Sequence, residues 1–135
     1  MSFSLDPRLS RDADFVGDLP LCRVLLMNDS RWPWLVLVPR RAGVVELTDL
    51  DAADRIRLVE ETARAADWLK SHARAEKLNV GALGNIVRQL HVHVVARHAG
   101  DPAWPGPVWG FGAAVPYREA EFRTIIEEAR KGLGL

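Results

Sequence analysis

Residues 89–95 (QLHVHVV) alternate nitrogen-bearing polar side chains with hydrophobic ones. In a β-strand successive side chains point to opposite faces, so Gln89, His91 and His93 are predicted to share one face, about 6.6 Å apart. The leucine and valines between them would then point into a core. Near pH 7 much of an unperturbed imidazole is neutral, and the neutral ring can act as a nucleophile and as a hydrogen-bond donor. The pattern therefore predicts one face of nitrogen-bearing side chains, which could bind a ligand or take part in catalysis.

The same residues are open to two other interpretations. The histidines could be ordinary polar residues on a solvent-exposed sheet face, since groups of this kind are costly to bury without partners. They could also ligate zinc, but a catalytic zinc site usually has three protein ligands. The strand continues with VVAR (residues 94–97), which adds no third ligand. Arg97 is predicted on the same face, where its charge favours an anion, and we therefore expect no metal and no other cofactor.

The segment resembles the signature of the histidine triad (HIT) family, in which three histidines alternate with hydrophobic residues and two hydrophobic residues follow. The similarity extends from residues 21–38 through a long predicted helix to residues 104–106 (WPG). Gln89 stands where the family has its first histidine, so the strict triad is incomplete. The resemblance implies a nucleotide hydrolase or nucleotidyl transferase acting at the α-phosphate of a nucleotide conjugate, such as a phosphoramidate or a dinucleoside polyphosphate.

The resemblance also implies a role for each polar residue of the strand. His91 matches the central histidine and would form a covalent nucleotidyl-histidine intermediate. His93 matches the third histidine, which is expected to donate a hydrogen bond to a phosphate oxygen. The amide of Gln89 would bind phosphate, while its backbone carbonyl would accept from the His91 ring and fix its tautomer. The loss of a titratable side chain at residue 89 puts the rate and the leaving-group preference in question more than the nucleophile.

Three asparagines are further candidates for substrate contacts. Asn79 and Asn85 lie where related sequences carry amides that contact the phosphates, and Asn28 resembles a position that binds the ribose. Each of them could equally be a turn residue.

Two features of the tryptophans also bear on the site. The family often has a histidine early in the second hairpin strand that supports the first triad histidine, and Trp34 takes this position. We expect Gln89 to need no such partner. The proline- and glycine-rich segment with Trp104 and Trp109 is expected either to lie over the site or a subunit contact, or to cap the core.

The surrounding elements indicate a single α+β domain over residues 1–135, with an antiparallel sheet, one long helix and a C-terminal helix. Residues 21–27 and 34–38 are predicted strands joined by a polar turn, which makes an antiparallel hairpin. Further strands are predicted at residues 79–83 and 90–96. Asp6 and Pro7 predict the start of a short helix. The C-terminal helix is predicted over residues 117–130, with Gly132 beyond its end.

The long helix is predicted to begin near Thr48, with Asp51 three residues later in a capping arrangement. Apolar side chains then recur at three- and four-residue steps, and this stripe is predicted to face the sheet. Its members are Ala52, Ile56, Val59, Ala63, Ala66, Leu69 and Ala73.

Composition narrows the classes of partner and compartment. Lysine plus arginine and aspartate plus glutamate number 18 each, so net charge gives no reason to expect a nucleic-acid or membrane partner. Cys22 is the single cysteine, which excludes an internal disulfide and a cysteine-rich zinc site. Residues 1–14 lack the apolar core of a signal peptide, and no apolar run approaches the roughly 20 residues that span a bilayer. We therefore expect a cytoplasmic protein.

The leading expectation is thus an enzyme whose partner is a nucleotide substrate, and the resemblance implies a homodimer in which two sheets combine. A second hypothesis is a nucleotide-binding or sensing module with little turnover, which the glutamine at residue 89 makes plausible. A zinc protein is the third.

Overall fold

The computed structural model describes residues 2–135, which form a five-stranded sheet and three α-helices. Neighbouring strands are antiparallel throughout, in the order β1-β2-β3-β5-β4. The elements in chain order are α1 Pro7–Asp12, β1 Ala13–Asp18, β2 Cys22–Met27, β3 Trp34–Pro39, a 3-10 helix Leu47–Asp49, α2 Ala52–Ala73, β4 Lys77–Gly81, β5 Val92–Arg97 and α3 Glu119–Leu133. This confirms the predicted α+β class, the hairpin of β2 and β3, the long helix and the C-terminal helix.

The two faces of the sheet are covered differently. One face packs against α2 and α3, and its core includes Leu35, Leu37 and Val94 from the strands with Leu69 and Ile126 from the helices. Full burial of each such side chain contributes roughly 1.5–3 kcal/mol to folding. The opposite face has a smaller cluster built on Leu25, Trp32, Trp34, Val36, Val95 and Val108, against which residues near the N-terminus and in the loop after β5 pack. His93 pairs with Val36, so its side chain lies on this second face.

The start of α2 differs from the prediction. Asp51 is the N-cap, since its side chain accepts a hydrogen bond from the backbone N–H of Asp54 at 2.8 Å. Thr48 lies in the 3-10 helix before it. The helix therefore begins at Ala52, where Asp51 satisfies one of the free N–H groups of the first turn.

The predicted apolar stripe of α2 is wrong in part, because Ile56 and Val59 are each 66% exposed. The buried face instead contains Leu58, Ala65 and Leu69 together with two carboxylates, those of Asp54 and Glu61. Glu61 accepts hydrogen bonds from the backbone N–H groups at the start of β2, at 2.9 and 2.7 Å. These hydrogen bonds allow the carboxylate to be buried, whereas a hydrophobicity pattern predicts that a glutamate faces solvent. Within residues 2–135 no helix is both long and apolar enough to cross a membrane.

Other boundaries shift for local reasons. β1 was not predicted; it is short and interrupted by an irregularity between Phe15 and Gly17. β5 begins at Val92 rather than Leu90. The C-cap of α3 is Gly134, whose φ of 69° favours glycine. Gly132, which was predicted beyond the end of this helix, lies inside it against Trp68.

Candidate functional site

His91 and His93 lie side by side at the N-terminal end of β5, on the face away from α2 and α3. His93 pairs with Val36 on β3 and with Gly81 on β4, and His91 directly precedes the strand. Both side chains are largely buried, at 6% and 7% exposure, and their ring centroids are 4.8 Å apart. The alternative interpretation, a solvent-exposed pair of histidines, is therefore wrong, and the two imidazoles form a compact cluster.

The backbone before β5 fixes the orientation of the His91 ring. Its Nδ1 lies 2.7 Å from the carbonyl oxygen of Gln89. A carbonyl can only accept, so Nδ1 carries the proton and the lone pair of the neutral ring is on Nε2. His91 and His93 line a common pocket with Trp109, Gly110 and residues 83–87, called here the histidine pocket. This arrangement is what a nucleophilic imidazole requires.

His93 is held in the complementary tautomer by Trp34. The indole N–H of Trp34 donates to Nδ1 of His93 at 3.0 Å, and because an indole nitrogen only donates, the proton of neutral His93 is on Nε2. Burial, with a smaller contribution from His91, lowers the pKa of His93 to about 3. His93 is therefore a neutral hydrogen-bond donor near pH 7. Trp34, at the position where the family often has a histidine that supports the first triad histidine, therefore contacts His93.

The side chain of Gln89 binds the N-terminal strap, which we define as residues 2–6. Its Oε1 accepts from the backbone N–H of Asp6 at 2.8 Å, and its Nε2 donates to the carbonyl oxygen of Ser4 at 2.9 Å. Phe3 and Leu5 of the strap pack against the smaller core cluster. The backbone carbonyl of Gln89 has its predicted role of orienting His91, whereas both ends of its amide already have protein partners.

Arg8 ties the same strap to the rim of the histidine pocket. Its guanidinium donates to both carboxylate oxygens of Asp6, at 3.1 and 2.9 Å, and to the carbonyl oxygen of Ile86 at 3.3 Å. Hydrogen bonds from Arg8 lower the pKa of Asp6 to about 2, with a smaller contribution from the charge of His91. Asp6 and Arg8 are thus an ion pair close to His91, which sequence analysis missed because their only visible signal was a helix cap.

The structure brings one of the three candidate asparagines to the histidines. Asn85 lines the histidine pocket. Asn79 lies further along the sheet, where its Oδ1 accepts from Arg97 at 2.7 Å. Asn28 is at the end of β2; its Oδ1 accepts from the backbone N–H of Tyr117 at 2.9 Å, and it lines a second, larger pocket.

Arg97 does not supply the free positive charge predicted on this face. It is 1% exposed, and its guanidinium donates to both carboxylate oxygens of Asp101, at 2.7 and 3.0 Å, and to the carbonyl oxygen of Gly106 at 2.9 Å. These hydrogen bonds hold the pKa of Asp101 below its ordinary range. Arg97 therefore anchors the loop after β5, and the charge that was expected to attract an anion is neutralised by Asp101.

That loop places Trp109 over the histidines. The ring centroid of Trp109 is 5.6 Å from that of His93 and 6.4 Å from that of Trp34. A Cβ at Gly81 would be 3.3 Å from the Trp109 ring, so the small residue on β4 allows this close approach. Trp104 instead lies over the guanidinium of Arg97 and is partly exposed. Trp109 therefore covers the site, which was one of the alternatives predicted for this segment. Its contact with His93 was not predicted from the sequence.

A larger side pocket of about 590 Å³ opens next to His93. This volume is in the range that holds a small organic ligand. Its walls include the aromatic side chains of Trp34, Trp109 and Phe111, together with Met27, Asn28 and Arg31. Arg31 is fixed there by the carboxylate of Asp29, at 2.9 and 2.8 Å. The side pocket thus combines stacking surfaces, the amide of Asn28 and a guanidinium held in place by Asp29.

Neither pocket has a metal-binding constellation. Over residues 2–135, no three or more histidine, cysteine, aspartate or glutamate side chains are grouped so that they could hold a metal ion.

Comparison with known proteins assigns this chain to one family. The HIT domain matches residues 8–100, and no curated protein matches the chain. A histidine triad protein from Sinorhizobium meliloti 1021 is 55% identical, with 96% of each chain covered and a TM-score of 0.94. One from Bradyrhizobium japonicum is 44% identical, with 98% of this chain and 99% of that one covered and a TM-score of 0.95. One from Marinobacter aquaeolei VT8 is 42% identical, with 99% and 98% covered and a TM-score of 0.96. The chain therefore belongs to the histidine triad (HIT) family.

Proposed function

We propose that this protein is a nucleotide hydrolase or nucleotidyl transferase in which His91 attacks the α-phosphate of a nucleotide conjugate. One observation supports this more than any other: Nδ1 of His91 donates to the carbonyl oxygen of Gln89, which leaves the lone pair of Nε2 available as the nucleophile. In the same proposal Gln89 occupies the position of the first triad histidine.

The reaction would proceed in two displacements. Nε2 of His91 forms a bond to the phosphorus while the bond to the leaving group breaks, and the positive charge that develops on the ring is shared with the Gln89 carbonyl through Nδ1–H. The Nε2–H of His93 and the amide of Asn85 donate to the phosphoryl oxygens, where negative charge accumulates. Attack by water on the nucleotidyl-histidine then releases a nucleoside monophosphate, and attack by another phosphate completes a transfer.

The side pocket suits the nucleoside part of such a substrate. Its aromatic walls favour stacking of a base, and Asn28 is placed to contact the ribose. The pocket adjoins His93, so a nucleoside bound there would present its 5′-phosphate to the two histidines.

The test uses His91→Ala with diadenosine polyphosphate as substrate. Wild-type protein should release AMP and, after an acid-free quench, carry an adenylyl group on His91 that mass spectrometry detects. The His91→Ala variant should lose both. His72→Ala is the matched control, because His72 lies on α2 and stacks on Trp68 away from the site. Full AMP release by His91→Ala would refute the nucleophile.

A nucleotide-binding module with little turnover is the second candidate. It is favoured by the Gln89 amide, whose two ends are bonded to the strap, so residue 89 contributes no titratable group. In this case AMP would bind to the protein, but neither AMP release from diadenosine polyphosphate nor adenylyl-protein would be observed.

We also propose that the protein is a homodimer joined along β4. This strand is at one end of the sheet, where its outer backbone groups are free to pair with a second copy. Val80 on β4 is 53% exposed, so this edge also presents an apolar side chain. Sedimentation of a strict monomer at micromolar concentration would contradict this.

A further inference from the structure

We propose that this site expels only leaving groups that depart without a proton, which makes the phosphate end of a polyphosphate a substrate and an amine or alkoxide a poor one. The inference rests on the proposed role of His91 as nucleophile and concerns the opposite side of the phosphorus. When the bond to phosphorus breaks, the leaving atom keeps the electron pair. A terminal phosphate carries that charge in water, whereas an amine or alkoxide needs a proton from a general acid.

His93 cannot be that acid. Its Nδ1 is occupied by the indole N–H of Trp34, and its one proton is on Nε2 of a neutral ring. A neutral imidazole donates a hydrogen bond but does not give up its N–H near pH 7. Its burial against Trp34, Trp109 and His91 opposes the charged form that could transfer a proton.

Gln89 cannot be the acid either. An amide has no proton to transfer near pH 7, and its two ends are bonded to the backbone of Ser4 and Asp6. The Gln89 side chain is therefore bonded to the strap and is not free to contact a substrate.

The charged groups around the histidines are already ionised in stable pairs. Asp6 is bound through two oxygens by the guanidinium of Arg8. The other residues of the histidine pocket, 83–87 with Trp109 and Gly110, include no carboxyl, thiol or phenol. In the side pocket Asp29 is bound by Arg31 and Asp12 by Arg11. Among the residues that line the two pockets, no group is placed to deliver a proton.

Two guanidinium groups near the site, each paired with a carboxylate, could donate hydrogen bonds to an anionic leaving group. The Arg8 guanidinium contacts the carbonyl oxygen of Ile86, a residue that lines both pockets. Arg31 lies in the wall of the side pocket. Guanidinium groups are well suited to bind the oxygens of a departing phosphate.

The experiment compares conjugates of AMP that differ in the leaving group alone. Wild-type kcat/KM is measured at pH 7 for four conjugates of AMP: a polyphosphate such as ADP, the 4-nitrophenyl ester, the phenyl ester and an alkyl phosphoramidate. The first two should be turned over. The last two should be slower by at least about 100-fold, the lower end of what a general acid contributes.

Two variants at residue 89 extend the test. Gln89→His restores a titratable group, and Gln89→Asn is its matched control, because it also loses the strap contacts but adds no acid. The ratio of kcat/KM for the phosphoramidate to that for the 4-nitrophenyl ester should rise at least about tenfold in Gln89→His and stay unchanged in Gln89→Asn. An unchanged ratio in the histidine variant, or an equal rise in both, would contradict the inference.

The outcomes separate this inference from the proposed function. If the 4-nitrophenyl ester yields adenylyl-His91 and the phosphoramidate is turned over equally fast, the nucleophile stands and the leaving-group inference fails. If no conjugate yields adenylyl-His91, the proposed function fails and the inference falls with it.

Discussion

Replacing Trp34 with phenylalanine should release His93 from its single tautomer while keeping the aromatic wall of the site. In the native protein the indole N–H of Trp34 donates to Nδ1 of His93 at 3.0 Å, and both side chains are buried. Phenylalanine fills most of the same volume but has no donor. Nδ1 would then lack a partner, and the proton would distribute between the two ring nitrogens.

The size of the effect follows from this one hydrogen bond. A buried polar group that loses its partner costs about 1–3 kcal/mol. We expect the free energy of unfolding of Trp34→Phe to fall by about this amount. Turnover should fall about twofold, because His93 donates to the phosphate only as the Nε2–H form and an even distribution leaves about half of the rings in that form.

The assay combines imidazole ¹⁵N NMR with turnover of the AMP 4-nitrophenyl ester. In wild-type protein, His93 should give the signals of a pure Nε2–H ring; in Trp34→Phe the two nitrogens should shift towards each other. Trp104→Phe is the control, because Trp104 lies over Arg97 rather than over the histidines. A Trp34→Phe protein with an unchanged His93 tautomer and unchanged turnover would refute the reasoning.

Three further predictions concern stability and assembly. The pKa of His93 is about 3 in the folded protein against an ordinary 6.5, so the unfolded chain takes up the proton first as pH falls. The free energy of unfolding should therefore fall by about 2 kcal/mol between pH 6.5 and pH 4.5 because of this residue. Urea unfolding at both pH values should show a smaller loss of stability for His93→Gln than for the wild-type protein. An equal loss in the two proteins would contradict the burial of His93 as the cause. Glu61→Leu should lower the free energy of unfolding by about 2–4 kcal/mol, since the buried N–H groups of Leu21 and Cys22 lose their acceptor; Glu60→Leu, an exposed neighbour, should change it little, and equal effects in the two would argue against this role. Val80→Glu should shift the sedimenting species from dimer to monomer while Lys77→Glu shifts it less; a variant that stays dimeric would place the interface elsewhere.

Local patterns in the sequence determined much of this protein. The two-residue period of residues 89–95 placed His91 and His93 on one face, because side-chain direction in a strand depends only on position. Asp6 before Pro7 specified the start of α1, since a cap acts within one turn. The hydrophobic runs of β2 and β3 with the polar turn between them specified the hairpin. Each of these features involves residues that are neighbours in the chain.

Tertiary structure decided which polar groups meet. Trp34 and His93 are 59 positions apart, Asp6 and Gln89 are 83 apart, and only the register of strands and the path of the strap bring them together. The buried face of α2 was misassigned because Glu61 is satisfied by backbone N–H groups of another element. A side chain's type states what it can donate or accept, but many partners of suitable chemistry exist, and the fold selects one. For this reason the sequence predicted His91 as a candidate nucleophile, whereas the tautomers of the two histidines were set by packing.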